Sequence, residues 1–462
     1  MKKYSILFVT LLLLATSCSD SFFDLNPSNS IVKKEFYITA SDFNLATVAC
    51  YSKLQSQVHF YTECSEYRSD NLALSAPTTG TQDRYDIDQF LVTASNGILE
   101  DYWANFNNGV FRCNSVLDQI DGADFDEKLK KQYKGEALFI RALTYFNMYR
   151  TWGGVPTTTK VVSVSESLQI GRSSDEQMYE LIAGDLKNII DGQLLPDSYT
   201  GNDIGRATSG AALTLLGKVH LTFSKWDEAR NTLSQVIGKY ELLTDPAKVF
   251  DVNNKMNREI IFAVRFNKDI VGEGHTMWHT TNNPLEAENP SPILIKAYAD
   301  NDLRKPLISY VKSGNQYVIK KFFDEINPST NTVGNDQILL RYADVLLMYA
   351  EALNEIAYNS SVTSPAFESL NQVRKRAGLS PVDNTVVTDK TSFRKAVMAE
   401  RQLEFPYEGH RWFDIVRMGF AKEVMLKAGH TVQDYQYLYP IPKTALERIN
   451  NTSLLWQNTG YK

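Results

Sequence analysis

Residues 128–152 carry apolar side chains around almost the whole circumference of any helix they form. Ala137, Leu138, Phe139, Ile140, Ala142, Leu143, Tyr145, Phe146 and Met148 leave no continuous polar face. A helix that is hydrophobic all round has to be wrapped on every side. The chain must therefore supply neighbouring helices to enclose it. Glu136 and Arg141 lie inside this stretch, so each needs a partner, because an unpaired buried charge is costly. Gly153-Gly154-Val155-Pro156 ends the helix.

Further amphipathic segments supply those neighbours. Residues 101–120 place Trp103, Phe106, Val110, Asn114 and Leu117 at spacings of three or four. From Thr39 onward, Ser41 or Asp42 can cap a helix bearing Phe43, Ala46, Thr47 and Cys50 on one face. Residues 209–241 hold two stripes. Ala212, Leu215, Leu216, Val219 and Phe223 form the first; Trp226, Ala229, Leu233, Val236, Ile237 and Tyr240 form the second. A short turn near Ser224-Lys225 separates them. Leu213, Leu216, Gly217 and Ala229 resemble a tetratricopeptide repeat, with His220 standing where that repeat has Tyr. Residues 339–378 read as another pair. Leu339, Ala343, Leu346, Leu347, Ala350 and Leu353 form its first stripe; Ser364-Pro365 restarts a helix in N-cap and N1 roles. Phe367, Leu370, Val373 and Ala377 follow, and Gly378 stops it.

Elsewhere the pattern is less regular. Strands are expected over residues 259–266 and 316–323. Residues 63–96 and 272–284 read as long irregular loops, and such stretches are usually functional or disordered. The expected fold is mostly α, with tetratricopeptide-like helix pairs plus irregular loops and a few short strands. Stacked pairs need neighbours to bury both faces.

The 462 residues carry a net charge of −6 and no basic run, which argues against a nucleic-acid partner. Lys2 and Lys3 precede a ten-residue apolar run at 6–15, the pattern of a signal peptide. Leu14-Ala15-Thr16-Ser17-Cys18 resembles a bacterial lipobox, which makes Cys18 the expected lipidation site. Each buried acyl CH₂ supplies ~0.8 kcal/mol, so several chains would anchor the body firmly. The expected layout is a signal peptide over 1–17, a tether over 18–30, an N-terminal region over 31–205, and a C-terminal region over 206–462 that packs with it as one unit. No later run approaches the length of a membrane span. Cys50, Cys64 and Cys113 allow one disulfide, and the sequence does not choose the pair.

Residues 398–419 mix Glu400, Arg401, Glu404, Glu408, His410, Arg411, Asp414 and Arg417 with Leu403, Phe405, Trp412, Phe413, Ile415 and Val416. Charges tied this closely to aromatics indicate ion pairs at a packed junction, a structural clamp rather than an active site. Within it, Glu400-Arg401-x-Leu403-Glu404-Phe405 and Glu408-Gly409-His410-Arg411-Trp412-Phe413-Asp414 resemble the C-terminal signature of the SusD/RagB family, nutrient-binding lipoproteins of Bacteroidota outer membranes. Gly135-Glu136-Ala137, Arg341-Tyr342-Ala343-Asp344, Arg376-Ala377-Gly378 and Gln457-Asn458-Thr459-Gly460 extend the resemblance over the whole chain. Asp20 and Asp24 after Cys18 resemble the surface-export signals of such lipoproteins. The tail departs from the family where Asn450-Asn451-Thr452 replaces a common Asn-Pro.

The resemblance implies an outer-membrane lipoprotein facing the cell exterior. It would bind an oligosaccharide and deliver it to a SusC-like TonB-dependent transporter. Peptide cargo, as in the RagB branch, and a surface glycoside hydrolase are the alternatives. The family motifs do not carry over a ligand site. Sugar recognition needs flat aromatic faces and short polar groups. Two segments offer that mixture: Arg68, Asp70, Asn71, Arg84 and Tyr85, and Met277, Trp278, Asn282 and Asn283. No metal or cofactor is expected. His275-x-x-x-His279 has ligand spacing only on a helix, which Gly272, Gly274 and Pro284 disfavour. Glu400 and Glu404 lie on one helix face, whereas glycosidase carboxylates flank the scissile bond.

Overall fold

The computed structural model describes residues 36–74, 80–276, 288–308, 310–312 and 316–462. Nine helices of nine or more residues among these are numbered here. They are α1 (Ala40–Gln55), α2 (Gly97–Ile120), α3 (Glu127–Trp152), α4 (Asp175–Asp191), α5 (Ser209–Thr222), α6 (Trp226–Ser234), α7 (Tyr342–Ile356), α8 (Pro365–Arg376) and α9 (Lys390–Glu404). From α1 to α8 each helix packs on the next in chain order, and α9 lies against α7. The result is a continuous ladder of neighbouring helices around a main hydrophobic core that runs from Phe43 to Leu455, with a small second cluster of Val249, Ile260, Ala263 and Ile338.

The all-round apolar helix is α3, and it is enclosed as its composition requires, by α1, α2 and α4. Its two charges are both satisfied. Arg141 donates to both oxygens of Asp185 at 2.8 and 2.7 Å, and to Asn114 at 2.7 Å. Glu136 pairs with Arg206 at 2.9 Å and accepts from Tyr199 and Gln132. In α5, a Cβ on Gly217 would stand 2.4 Å from Leu233 of α6. Glycine there lets the two helices approach, which is the close packing of the tetratricopeptide pair. His220 is buried and meets the Tyr179 hydroxyl at 3.2 Å.

Several boundaries differ from the sequence reading. The cap of α1 is Thr39, and Asp42 is its N3 partner in a capping box. Leu339 belongs to a strand, not to the helical stripe. β6 (Gln337–Arg341) pairs antiparallel with β2 (Ile260–Val264), both buried throughout, and α7 starts only at Tyr342. The β2 edge offers backbone partners that local helical periodicity cannot anticipate. The strand expected over 316–323 stops at Val318, where β5 (Gln316–Val318) ends its hairpin with β4 (Tyr310–Lys312). Beyond it, the N–H groups of Lys320 and Lys321 both turn to the Leu307 carbonyl. Residues 63–96 are not a loop throughout. They contain a wide helical turn (Thr62–Glu66), β1 (Leu72–Leu74) and a helix at Gln82–Asp88. β1 pairs with β3 (Glu288–Pro290). Cys50, Cys64 and Cys113 are all free and buried, so the disulfide the sequence allowed is not formed. Burial pushes the Cys64 and Cys113 thiols well up, which makes them unreactive. Among the described residues no helix is long and apolar enough to cross a membrane.

Candidate functional site

The charged stretch at 398–419 closes the ladder. It runs from the end of α9 through a turn into a short helix, Arg411–Arg417. The turn depends on Gly409, with φ +80°: a Cβ there would meet Tyr61 at 2.4 Å. The freed approach lets the Gly409 N–H donate to Glu66 at 2.9 Å. Glu404 accepts from Arg341 at 2.6 Å, from Arg304 at 2.8 Å and from Arg376. Glu408 takes two bonds from Arg341, at 2.7 and 2.8 Å, and one from Lys321 at 2.6 Å. Glu400 pairs with Arg304 and Arg374; Glu259 pairs with Arg341 and Arg376; Arg304 also holds Asp302. Five cations thus meet five carboxylates. Burial alone would raise the Glu404 carboxyl, but Arg376, Arg341 and Arg304 outweigh it and hold the group well below the usual range. A second cluster links Arg401 to Asp344 and Asp414, Arg417 to Asp414 and Glu351, and Lys218 to Asp344. Carboxylates so fully engaged are fixed counter-ions, which is the arrangement of a clamp.

The residues singled out for recognition separate into three groups. Arg68, Asp70 and Asn71 are buried in the scaffold. The Arg68 guanidinium lies between Phe90, Trp412 and Tyr439, 4.6, 5.3 and 4.2 Å from their ring centres, and donates to the Gln436 carbonyl at 2.8 Å. Asp70 is taken by Arg411, and Asn71 donates to Glu66 at 2.8 Å. Arg84 and Tyr85 are half-buried on the helix Gln82–Asp88. Arg84 Nε lies 3.3 Å from Glu63, which also accepts from the Tyr102 hydroxyl. Burial pushes nearby Asp88 up to about 6. Trp278 and Asn282, with Met277, Asn283, His279 and the lipidation candidate Cys18, lie outside the described residues. His275 is buried, and its backbone bridges to Val333. The described residues contain no cluster of three metal-ligating side chains.

One feature escaped sequence reasoning. A cleft of about 1510 Å³ opens between α1, the turn at 201–206 and segments 247–255, 263–273 and 320–325. Its polar lining is largely paired: Lys268 with Asp324 at 2.8 Å within the lining, and Lys255 and Arg265 with Asp336 outside it. Val48, Ile204, Ile270 and Phe323 are exposed around its mouth. Segments this far apart in the chain leave no joint signature in the sequence.

Comparison with known proteins fits this geometry. Residues 264–461 match the SusD family, and residues 22–221 match a SusD-like family described as starch-binding and associating with the outer membrane. The chain belongs to the SusD family. A SusD-like protein of Formosa agariphila, P25, is 26% identical over 503 residues, covering 95% of this chain and 93% of that protein. A SusD-like protein of Bacteroides ovatus is 25% identical, covering 90% and 82%. Among solved structures, a laminarin-binding SusD-like protein superposes with a TM-score of 0.77 at 25% identity, covering 92% of this chain and all of that one. Surface glycan-binding protein A from Bacteroides fluxus gives 0.78 at 24% identity, with the same coverage. The mostly α ladder with few strands is therefore the SusD-like fold.

Proposed function

We propose that this SusD-family chain binds an oligosaccharide at the end of the β1–β3 pair. From there it would deliver the sugar to a SusC-like TonB-dependent transporter. It would do so on the outer surface of the outer membrane, held by acyl chains on Cys18 after removal of residues 1–17. The observation that carries the reading is the antiparallel pairing of Leu72 with Pro290 and Leu74 with Glu288. It sets residues 72–74, which lie within the first of the two segments in sequence, beside residues 288–290, which follow the second in sequence, although more than two hundred residues separate them. In this reading Tyr85 and Trp278 offer ring faces to a pyranose, and Arg84 and Asn282 hydrogen-bond its hydroxyls. Arg68, Asp70 and Asn71 support the surface from beneath. The laminarin-binding relative makes a glucan the first ligand to try. The pairing of Glu400, Glu404 and Glu408 with cations supports a scaffold role for this cluster rather than a catalytic one.

The test is calorimetric titration of the protein with laminarin and malto-oligosaccharides, alongside a peptide digest and a reducing-sugar assay. Saturable glucan binding with no product is expected, together with at least tenfold weaker binding in both Tyr85→Ala and Trp278→Ala. Unchanged affinity in both variants would remove this surface from consideration. Binding confined to the digest would move the cargo class to peptides. Product formation lost on replacing a carboxylate would make the protein an enzyme.

A further inference from the structure

From the sugar position proposed above, on which this step rests, we infer that the surface takes an oligosaccharide without carboxylate or sulfate groups, and that Glu63 sets this preference by neutralising Arg84. Glu63 lies in the wide helical turn that follows His59–Tyr61. Such turns occur often at functional sites. Its carboxylate is buried and accepts from two donors, the Tyr102 hydroxyl and, at 3.3 Å, Arg84 Nε. The guanidinium beside it favours the ionised carboxylate.

The same turn reaches the second recognition segment. His59, one helical turn before Glu63, meets the Thr276 hydroxyl through Nε2 at 2.8 Å. Thr276 stands two residues ahead of Trp278. Burial, helped by Arg84, lowers His59 to about 4, so its ring is neutral and adds no charge at neutral pH. Beyond Glu63, Glu66 accepts from Asn71 at 2.8 Å and from the Gly409 N–H at 2.9 Å, which ties the turn to the clamp. One short element therefore holds Arg84 and Thr276, one from each recognition segment.

Charge decides what such a surface accepts. Arg84 is the only Lys or Arg in residues 72–90, which also carry Asp83, Asp86 and Asp88. Residues 272–290 carry Glu273, Glu286 and Glu288 and no Lys or Arg. Asp83 accepts from the Gly97 N–H at 3.0 Å and Asp86 from the Gln82 amide at 2.6 Å, neutral donors that leave both carboxylates charged. The one cation of the two segments thus has its charge answered by Glu63, and the carboxylates on its own helix repel an anion. Hydrogen bonds to uncharged hydroxyls need no net positive charge. With Nε held by Glu63, the Arg84 fork has a set direction, which suits recognition by hydroxyl geometry.

Calorimetric titration with laminari-oligosaccharides and with oligogalacturonates of matched length, at low and high salt, tests the assignment. The wild type should bind the neutral sugar roughly tenfold or more tightly than the uronate. Salt should leave the neutral sugar unchanged and strengthen the weak uronate binding, because screening relieves repulsion. Glu63→Gln keeps an acceptor for Tyr102 but leaves Arg84 uncompensated. It should weaken the neutral sugar and strengthen the uronate, and adding Arg84→Gln should abolish that gain. Lost packing alone would weaken both ligands and could not move their ratio toward the uronate. If Glu63→Gln fails to fold, the wild-type ratio and its salt dependence still decide. Uronate binding to the wild type that equals the neutral sugar, or that falls with salt, overturns the proposal. So does an unchanged ratio in Glu63→Gln where Arg84→Gln weakens the neutral sugar, a result that leaves the sugar position standing. Neutral-sugar affinity indifferent to both Tyr85→Ala and Arg84→Gln removes the position itself, and the role of Glu63 with it.

Discussion

Arg411 grips Asp70 with two parallel hydrogen bonds, Nε to Oδ1 at 2.7 Å and Nη2 to Oδ2 at 2.9 Å, across 341 residues of sequence. Both side chains are buried, and Gln402 adds a third bond to Asp70 at 2.8 Å. The bond ties the wide turn before β1 to the clamp that follows α9. The proposed recognition surface and the family signature thus share one joint.

Breaking that joint from one side should cost more than removing it whole. Asp70→Asn or Arg411→Met alone leaves a buried partner unpaired and should lower stability by about 3–5 kcal/mol. The double variant should lose less than the sum. Urea unfolding of the four proteins in a double-mutant cycle measures the coupling, and strict additivity would show that the contact carries none.

Glu404 neutralises three guanidinium groups at once, so Glu404→Gln should be among the most damaging single changes in the chain. The expected loss is about 3–5 kcal/mol, read from the urea midpoint. A loss below about 1 kcal/mol, the value of an exposed pair, would mean that the cluster is solvated in solution.

Trp412 is fully buried against Phe90 and Arg68. Trp412→Ala should cost about 3–5 kcal/mol through the cavity it leaves. The folded fraction should keep its order of preference among glucans. A stable variant with altered preference would place Trp412 in recognition instead.

Acid should destabilise the protein through its buried histidines. Burial lowers His410 to about 3, and His59 and His220 to about 4. Unfolded histidines bind protons near pH 6.5. Between about 6.5 and 4 the unfolded chain therefore binds more protons, and stability falls as pH falls. Glu66 and Asp88, both raised to about 6 by burial, act in the opposite sense and offset part of this. Urea midpoints from pH 7.5 to 4.5 should decline, and His410→Gln should flatten the slope. A flat wild-type profile would contradict the burial of these rings.

The helical ladder was legible because its signals are local. The stripe of α5, the all-round apolarity of α3 and the Pro365 start of α8 each lie within one segment. The clamp was legible as a clamp: Trp412 and Phe413 are packed, and Arg401, Glu404, Arg411 and Asp414 are paired. Its partners were not, because they arrive from afar. Arg304 reaches Glu400 across 96 residues and Arg341 reaches Glu404 across 63. Periodicity shows that a buried charge needs a counter-ion but not which one. Leu339 looked helical because its stripe continues into α7; only the β2 edge pulls it into a strand. Arg68 looked like a surface group because nothing local announces that Phe90, Trp412 and Tyr439 converge on it.

The path of the chain also orders its assembly in time. Helices α1 to α6 dock on neighbours just made, and such short-range contacts form fast. The β2–β6 ladder and the Arg411–Asp70 bond close far longer loops, and that entropy is met only when nearly all of the polypeptide is available. A chain that ends before α9 has Arg304, Arg341 and Arg376 gathered without Glu400, Glu404 and Glu408. Such a fragment would hold uncompensated buried cations and an open ladder, which makes it prey for proteases. The segment from α9 to the end acts as a completeness check on everything before it.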